Sequence, residues 1–172
     1  MEDAQHGARF VIIGGSSAAI KTAHGILKRI PKAHVTLINP SSKFFYNIAS
    51  ARILAKPNAF RPEQYLANIP SPLARHGLTS FLFVEGLATA IDEQHRVVKL
   101  AHLDKIPYDY LVIASGSTTQ STEGLDSDMA PWKARQDGQT LERIMESQKN
   151  IAIARDVVNC GARSVGVEFK IC

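Results

Sequence analysis

Residues Arg9 to Lys28, RFVIIGGSSAAIKTAHGILK, constrain the fold more than any other stretch of the chain. Phe10, Val11, Ile12 and Ile13 form a short apolar run rich in β-branched residues, the pattern of a strand buried on both faces of a parallel sheet. Gly14 and Gly15 follow at once, and then apolar positions at Ala18, Ala19, Ala23, Ile26 and Leu27 suit a helix packed on that sheet, over about Ser17 to Arg29. Strand, glycine turn and helix open a dinucleotide-binding βαβ unit.

The turn has a specific physical job in such a unit. A pyrophosphate sits on the helix N-terminus, where unpaired N–H groups and the positive end of the dipole face it. The first fingerprint position needs glycine for the tight turn, which Gly14 supplies. The second needs a small residue for close approach and is Ser16, whose hydroxyl can itself donate to a phosphate. The third needs a small residue for helix–strand packing and is Ala19. Against G-x-G-x-x-G this is a degraded match, and a tight turn that binds nothing has the same outline.

A second strand follows at His34 to Asn39, HVTLIN, after Pro31 breaks the helical pattern. A Rossmann unit places an acidic residue at the end of this strand to hold the adenine ribose. Here the position is Asn39, which accepts one hydroxyl hydrogen bond but has no bidentate carboxylate. Asn39 reads equally well as a turn residue that ends the strand.

Further along, Pro40 to Ala55 reads as loop and helix, and Pro57 to Gly77 as a connection over the sheet edge with a short helix at Glu63 to Asn68. Thr79 to Val84 is a third strand. Leu87 to Ile91, Arg96 to Ala101 and Ile106 to Tyr108, separated by polar turns, form a β-meander inserted before the strand Tyr110 to Ala114. Thr118 to Gly138 reads as a surface loop and Leu141 to Lys149 as a helix. Asp156 to Asn159 is strand-like and precedes a second glycine motif, Gly161, Arg163 and Gly166, in which Arg163 is bulky for the second position.

Composition excludes several other classes. Hydrophobic residues make up 45% and charged residues 21% of 172 residues, enough for a sizeable core. The net charge of +4 comes from scattered Lys and Arg, not the clusters of a nucleic-acid binder. Cys160 and Cys172 form no C-x-x-C pair, so neither a redox dithiol nor a metal site is expected. No apolar run reaches transmembrane length, and the start MEDAQHGAR is not a signal peptide, so a cytoplasmic location is the default. A short-chain dehydrogenase is disfavoured, because Tyr46, Tyr65, Tyr108 and Tyr110 all lack Lys four places on. Phe44, Phe45, Tyr46 and Trp132 are expected in the core, Lys21 and Lys43 in solvent.

Taken together, VIIGGSSAAI, VTLINPSSKFFYNIASAR, GLATAID, RVVKL, IPYDYLVIASGS and SQKNIAIARDVVNCGARSVGVEF resemble the apoptosis-inducing-factor-like or ferroptosis-suppressor-like FAD-dependent NAD(P)H oxidoreductases. These belong to the pyridine nucleotide-disulfide oxidoreductase superfamily, and the fungal branch is the nearest in pattern. The resemblance covers nearly the whole chain but only the N-terminal part of the family. It implies an α/β, Rossmann-like FAD-binding domain with a parallel sheet and an inserted antiparallel β-meander, truncated before the NAD(P)H-binding domain. Residues 1–148 would be an incomplete FAD-binding domain and 149–172 the start of the truncated one.

The resemblance also implies a site. Gly14, Gly15, Ser16, Ser17, Ala18 and Ala19 would cradle the FAD pyrophosphate, and Asn39 and Pro40 would meet the adenosine. Arg52 would lie near the cofactor, and Ala88 would meet the adenine through its backbone. Ala114, Ser115 and Gly116 stand for the family's A-T-G motif, and Gly161 and Gly166 for its NAD(P)H motif. No catalytic residue and no metal are expected, since the chemistry resides in the cofactor. In the family a hydride passes from NAD(P)H to flavin and electrons then go to a quinone-like acceptor. The short chain is expected to be inactive in that reaction. A non-catalytic FAD-binding or interaction fragment, associating through exposed apolar surface, is the alternative.

Overall fold

The computed structural model describes residues 7–102, 104–116 and 139–158. They fall into two compact units: residues 7–44, 68–102 and 104–116 in one, residues 45–67 and 139–158 in the other.

The first unit is built on a four-stranded parallel sheet. Its strands are β1 (Arg9–Ile13), β2 (His34–Asn39), β5 (Phe81–Glu85) and β9 (Tyr110–Ile113), in the order β5-β2-β1-β9. The helix α1 (Ser17–Arg29) joins β1 to β2, with the bounds read from the sequence. The third strand lies at Phe81–Glu85, slightly later than Thr79 to Val84.

Both faces of β1 are buried, as its unbroken apolar run requires. Phe10 and Ile12 pack with Val35, Leu37, Ala19 and Ala23 on the α1 side. Val11 packs on the other side with Ile38, Val98, Leu100 and Tyr108. The second cluster exists because the meander covers that face: β6 (Ala88–Asp92), β7 (Val97–Leu100) and β8 (Lys105–Pro107) form an antiparallel sheet in the order β6-β7-β8. Ile69 and Leu73, in the long connection before β5, are fully buried in the α1-side core and anchor that connection.

Pro40 to Ala55 is more varied than a loop and helix. It holds the strand β3 (Lys43–Phe45), a 3-10 turn at Asn47–Ala49 and the helix α2 (Ser50–Ala55). The short helix expected at Glu63 to Asn68 is α3 (Pro62–Tyr65), which gives way to the strand β4 (Leu66–Asn68). Pro62 suits the first turn, and the Arg61 N–H donates to Gln64 Oε1 at 2.8 Å, which fixes the start.

In the second unit, α4 (Gln139–Ile153) is longer than Leu141 to Lys149. Its buried Ile144 meets Ile53 and Tyr65, and the Gln148 amide donates to the Ile53 carbonyl at 2.7 Å. The strand expected at Asp156 to Asn159 is not formed over 156–158, where Val157 and Val158 are exposed. A strand needs a neighbour for its backbone groups, and no described strand pairs with these residues. Asn159, Cys160, Gly161, Arg163, Gly166, Cys172, Trp132 and the loop Thr118 to Gly138 lie outside the described residues.

Candidate functional site

Sheet order places the candidate site. β1 is followed in sequence by β2 on one side and has β9 on the other, so the C-terminal ends of β1 and β9 form a topological switch point. Open α/β sheets bind ligands in the crevice outside such strand ends.

The turn from β1 into α1 occupies that crevice. Gly14 has φ +115°, a conformation that side chains rarely adopt. Its N–H donates to the Ile38 carbonyl at 2.8 Å, while the Ala114 N–H donates to the Ile13 carbonyl at 2.8 Å. A Cβ on Gly14 would overlap the Ala114 carbonyl oxygen and stand 2.6 Å from its carbonyl carbon. Gly15 is closed in as tightly by side chains: a Cβ there would stand 2.5 Å from Ile69 Cδ1 and 2.7 Å from Asn39 Cγ. The structure thus brings Gly14, Gly15, Asn39 and Ala114 together.

Beyond the glycines the surface opens. Ser16, Ser17 and Ala18 are exposed, and Ala19 is fully buried against the sheet. Ser16 is the N-cap residue, yet its side chain makes no capping bond, and the first turn of α1 carries no acidic residue. The first intrahelical bond runs from the Ile20 N–H to the Ser16 carbonyl at 3.0 Å. The N–H groups of Ser17, Ala18 and Ala19 therefore have no intrahelical acceptor. With the dipole added, this end of α1 favours an anion, and residues 14–19 themselves carry no side chain larger than serine.

Asn39 takes up a defined position at the rim. Its side-chain amide donates to the Ser41 carbonyl at 2.7 Å, a turn-forming bond, and its own carbonyl accepts the Gly86 N–H at 2.9 Å. Pro40 is half-buried beside it. The register also sets Glu85, at the end of β5, directly across from Asn39. Glu85 was not legible as a rim residue from the sequence, because only strand pairing brings its position to Asn39. Ala88 opens β6 two residues after Gly86 and is partly buried in the meander-side core. Ser115 and Gly116 are exposed at the end of β9.

Arg52 belongs to the other unit. It lies on α2 in the second unit, beside an open cavity of about 450 Å³ that also involves Tyr46, Phe60 and Tyr65. Phe44 and Phe45 are partly buried in the cores of their units as expected, but Tyr46 is 44% exposed at that cavity. Lys21 and Lys43 are solvated, as expected.

A smaller cavity of about 220 Å³, lined in part by Lys28, Lys32, His76 and Ser80, lies where residues lead into β2 and β5, at the opposite edge of the sheet. At that edge the Arg9 guanidinium holds Asp109 through Nη2 at 2.8 Å and Nε at 3.2 Å, and the Arg9 N–H adds a bond at 2.8 Å. These bonds hold the Asp109 carboxyl down to about 2. They fasten the starts of β1 and β9, and the Gly14–Ala114 approach fastens their ends. Among the described residues there is no group of three His, Cys, Asp or Glu placed to hold a metal, and no helix long and apolar enough to cross a membrane.

A parallel sheet with a glycine turn at its switch point and a meander on one face defines the Rossmann-like FAD-binding class of flavoprotein oxidoreductases. A family profile for pyridine nucleotide-disulphide oxidoreductases matches residues 8–171, and the chain belongs to that family, whose members bind FAD and use NAD(P)H. The chain is 33% identical to oxidoreductase ptaL of Pestalotiopsis fici, over 92% of this chain and 43% of that protein. It is 26% identical to apoptosis-inducing factor homolog B of Dictyostelium discoideum, over 94% of this chain and 37% of that protein. Among solved structures, the sulfide:quinone oxidoreductase of Aquifex aeolicus matches with a TM-score of 0.66 and 26% identity, over 84% of this chain and 32% of that one. The chain thus spans less than half the length of these proteins.

Proposed function

We propose that this chain is the FAD-binding part of an NAD(P)H-dependent flavoprotein oxidoreductase that passes electrons to a quinone-like acceptor. In this reading residues 1–148 form the FAD-binding domain and residues 149–172 begin the NAD(P)H-binding domain, with Gly161 and Gly166 in its glycine motif. The observation that carries the reading is the uncapped, acid-free N-terminus of α1, reached through Gly14 at φ +115° and lying at the sheet's switch point.

The residues fit the group. The N–H groups of Ser17, Ala18 and Ala19 would hold the pyrophosphate, with the Ser16 hydroxyl as a further donor. Gly14 and Gly15 keep the turn flat enough for that approach. Asn39, Pro40 and Ala88 would line the adenosine, Glu85 would offer the ribose the carboxylate that Asn39 lacks, and Arg52 would lie near the cofactor. Ala114, Ser115 and Gly116 would close the side beyond β9. When bound, FAD supplies hydride acceptance, and the protein's part is binding, orientation and electrostatics. The acceptor rests on the sulfide:quinone oxidoreductase likeness.

The test is a competition titration. FAD is expected to bind and to be displaced by ADP, which shares its adenosine and pyrophosphate, but not by FMN, which lacks both. Displacement by FMN and not by ADP would place the binding elsewhere than α1.

A further inference from the structure

The cavity at the opposite edge of the sheet has no part in the cofactor reading. It measures about 220 Å³, below the roughly 300 Å³ at which pockets begin to hold drug-sized molecules, so its occupant is a single small group. Its charged lining has one sign. Lys28 comes from the last turn of α1, Lys32 from the turn into β2, and His76 and Ser80 from the connection before β5, and no carboxylate is among the lining residues. The sequence holds no Asp or Glu from Ala4 to Pro62, so neither lysine has an acidic neighbour on its own segment. Neither forms an ion pair among the described residues.

The backbone holds these groups in fixed places. Lys32 has φ +58°, in the left-handed region, and a Cβ on Gly7 would overlap the Lys32 carbonyl oxygen. The next two residues are tied down, Ala33 by burial and His34 by its N–H, which donates to the Ala8 carbonyl at 2.9 Å. The Ser80 carbonyl accepts the Val35 N–H at 2.8 Å, and no hydrogen bond among the described residues engages the Ser80 hydroxyl. His76 is oriented through its neighbours. Arg75 can only donate, so the His24 Nδ1 that it approaches at 3.3 Å is an acceptor. His76 Nε2, 3.2 Å from the same atom, is then the donor, and Nδ1 is the nitrogen that His76 has left. That nitrogen accepts a P–OH when the ring is neutral and donates to an anionic oxygen when it is protonated.

The cavity lies at the carbonyl end of α1, where the dipole disfavours an anion, so the two ammonium groups must carry the attraction. A compact anion with several oxygens suits all four groups, since it accepts from both lysines and from Ser80 and meets His76 in either proton state. We infer that the Lys28–Lys32–His76–Ser80 cavity binds a phosphate group, free or as a monoester. The site shares no residue with the glycine turn and stands apart from the cofactor reading.

The test titrates the full chain with inorganic phosphate, with sodium chloride at matched ionic strength as the control, and reads backbone amide shifts by NMR. Saturable shifts at residues 28–33 and 76–80 are expected with phosphate and not with chloride, whether or not residues 14–19 also respond. Lys28→Gln and Lys32→Gln should each weaken this binding at least about threefold, whereas Lys21→Gln, exposed on the same helix but outside the cavity, should leave it unchanged. Ser80→Ala should weaken it about threefold, a loss that a diffuse patch of charge would not show. Phosphatidic acid in phosphatidylcholine vesicles presents the same group on a surface. Co-sedimentation that Lys32→Gln abolishes would make the ligand a lipid headgroup, and phosphate binding without co-sedimentation would make it a soluble one; either result upholds the site. Shifts at residues 14–19 alone, chloride acting as well as phosphate, or an unchanged affinity in Ser80→Ala would overturn the inference.

Discussion

The Cα of Gly14 faces the backbone of Ala114 so closely that no side chain fits between them, and a Cβ there would lie 2.9 Å from even the next nitrogen, that of Ser115. The glycine turn and the end of β9 are thereby a single structural piece. Gly14→Ala combines this overlap with a disallowed φ, and should cost at least about 2 kcal/mol of stability. Gly25, inside α1 with nothing within 4 Å of an added Cβ, is the matched control. Gly25→Ala should stabilise by about 0.5–1 kcal/mol. Denaturant unfolding of the two variants reads both effects, and equal effects would contradict the turn geometry.

The start of α1 allows a separation of binding from folding. Ala18 is exposed in the first turn, where no acidic residue occurs. Ala18→Asp places a negative charge at the positive end of the dipole and should raise stability by about 0.3–1 kcal/mol. The same charge repels a pyrophosphate, so FAD affinity should fall at least about tenfold, which is roughly 1.4 kcal/mol. A variant that binds FAD as well as the wild type would place the pyrophosphate elsewhere.

Acid should loosen the opposite edge of the sheet. Asp109 has its carboxyl lowered from 3.8 to about 2 by the Arg9 bonds. A carboxyl lowered on folding contributes stability that is complete above its ordinary value and lost as the pH falls from about 4 through about 2. Both side chains are substantially exposed, so solvent screening holds the contribution to no more than about 1 kcal/mol. Asp109→Asn should flatten that acid slope in pH-dependent unfolding, and an unchanged slope would assign it to other groups.

A second pH effect lies at higher values. His24 Nδ1 and His76 Nε2 are 3.2 Å apart, with Arg75 Nη2 3.3 Å from His24. Burial first, and then the charges of Arg75 and His76, lower the His24 pKa below 6.5. The unfolded chain then binds the proton more readily, so stability should drop as the pH falls below about 6.5. His24→Gln should remove this drop, while a drop that persists in the variant would point to another histidine.

The fold was legible where periodicity was strong. The run Phe10 to Ile13 announced a strand covered on both sides, and α1 begins and ends at Ser17 and Arg29 as read. The meander was legible because polar turns separate its short strands. Pro40 to Ala55 was less so, since three-residue strands such as β3 carry too few side chains to show a period. The α4 extension was hidden because most of its outer residues are polar or exposed, and among the described residues of the helix the buried ones are Ile144 and Ser147. In the site, Gly14 and Ala114 were both named from sequence, but their mutual contact is a product of β1–β9 pairing. The place of Glu85 beside Asn39 and the gathering of Tyr46, Phe60 and Tyr65 around Arg52 depend on distant segments meeting, which no local pattern encodes.

The central claim is that α1 and its glycine turn form an FAD site within this chain. It is tested most directly by the visible absorbance spectrum of the purified chain after incubation with FAD and desalting. The account predicts flavin bands that remain with the protein and are lost from Ala18→Asp. A colourless wild-type chain, folded by circular dichroism yet unable to retain FAD, would contradict it.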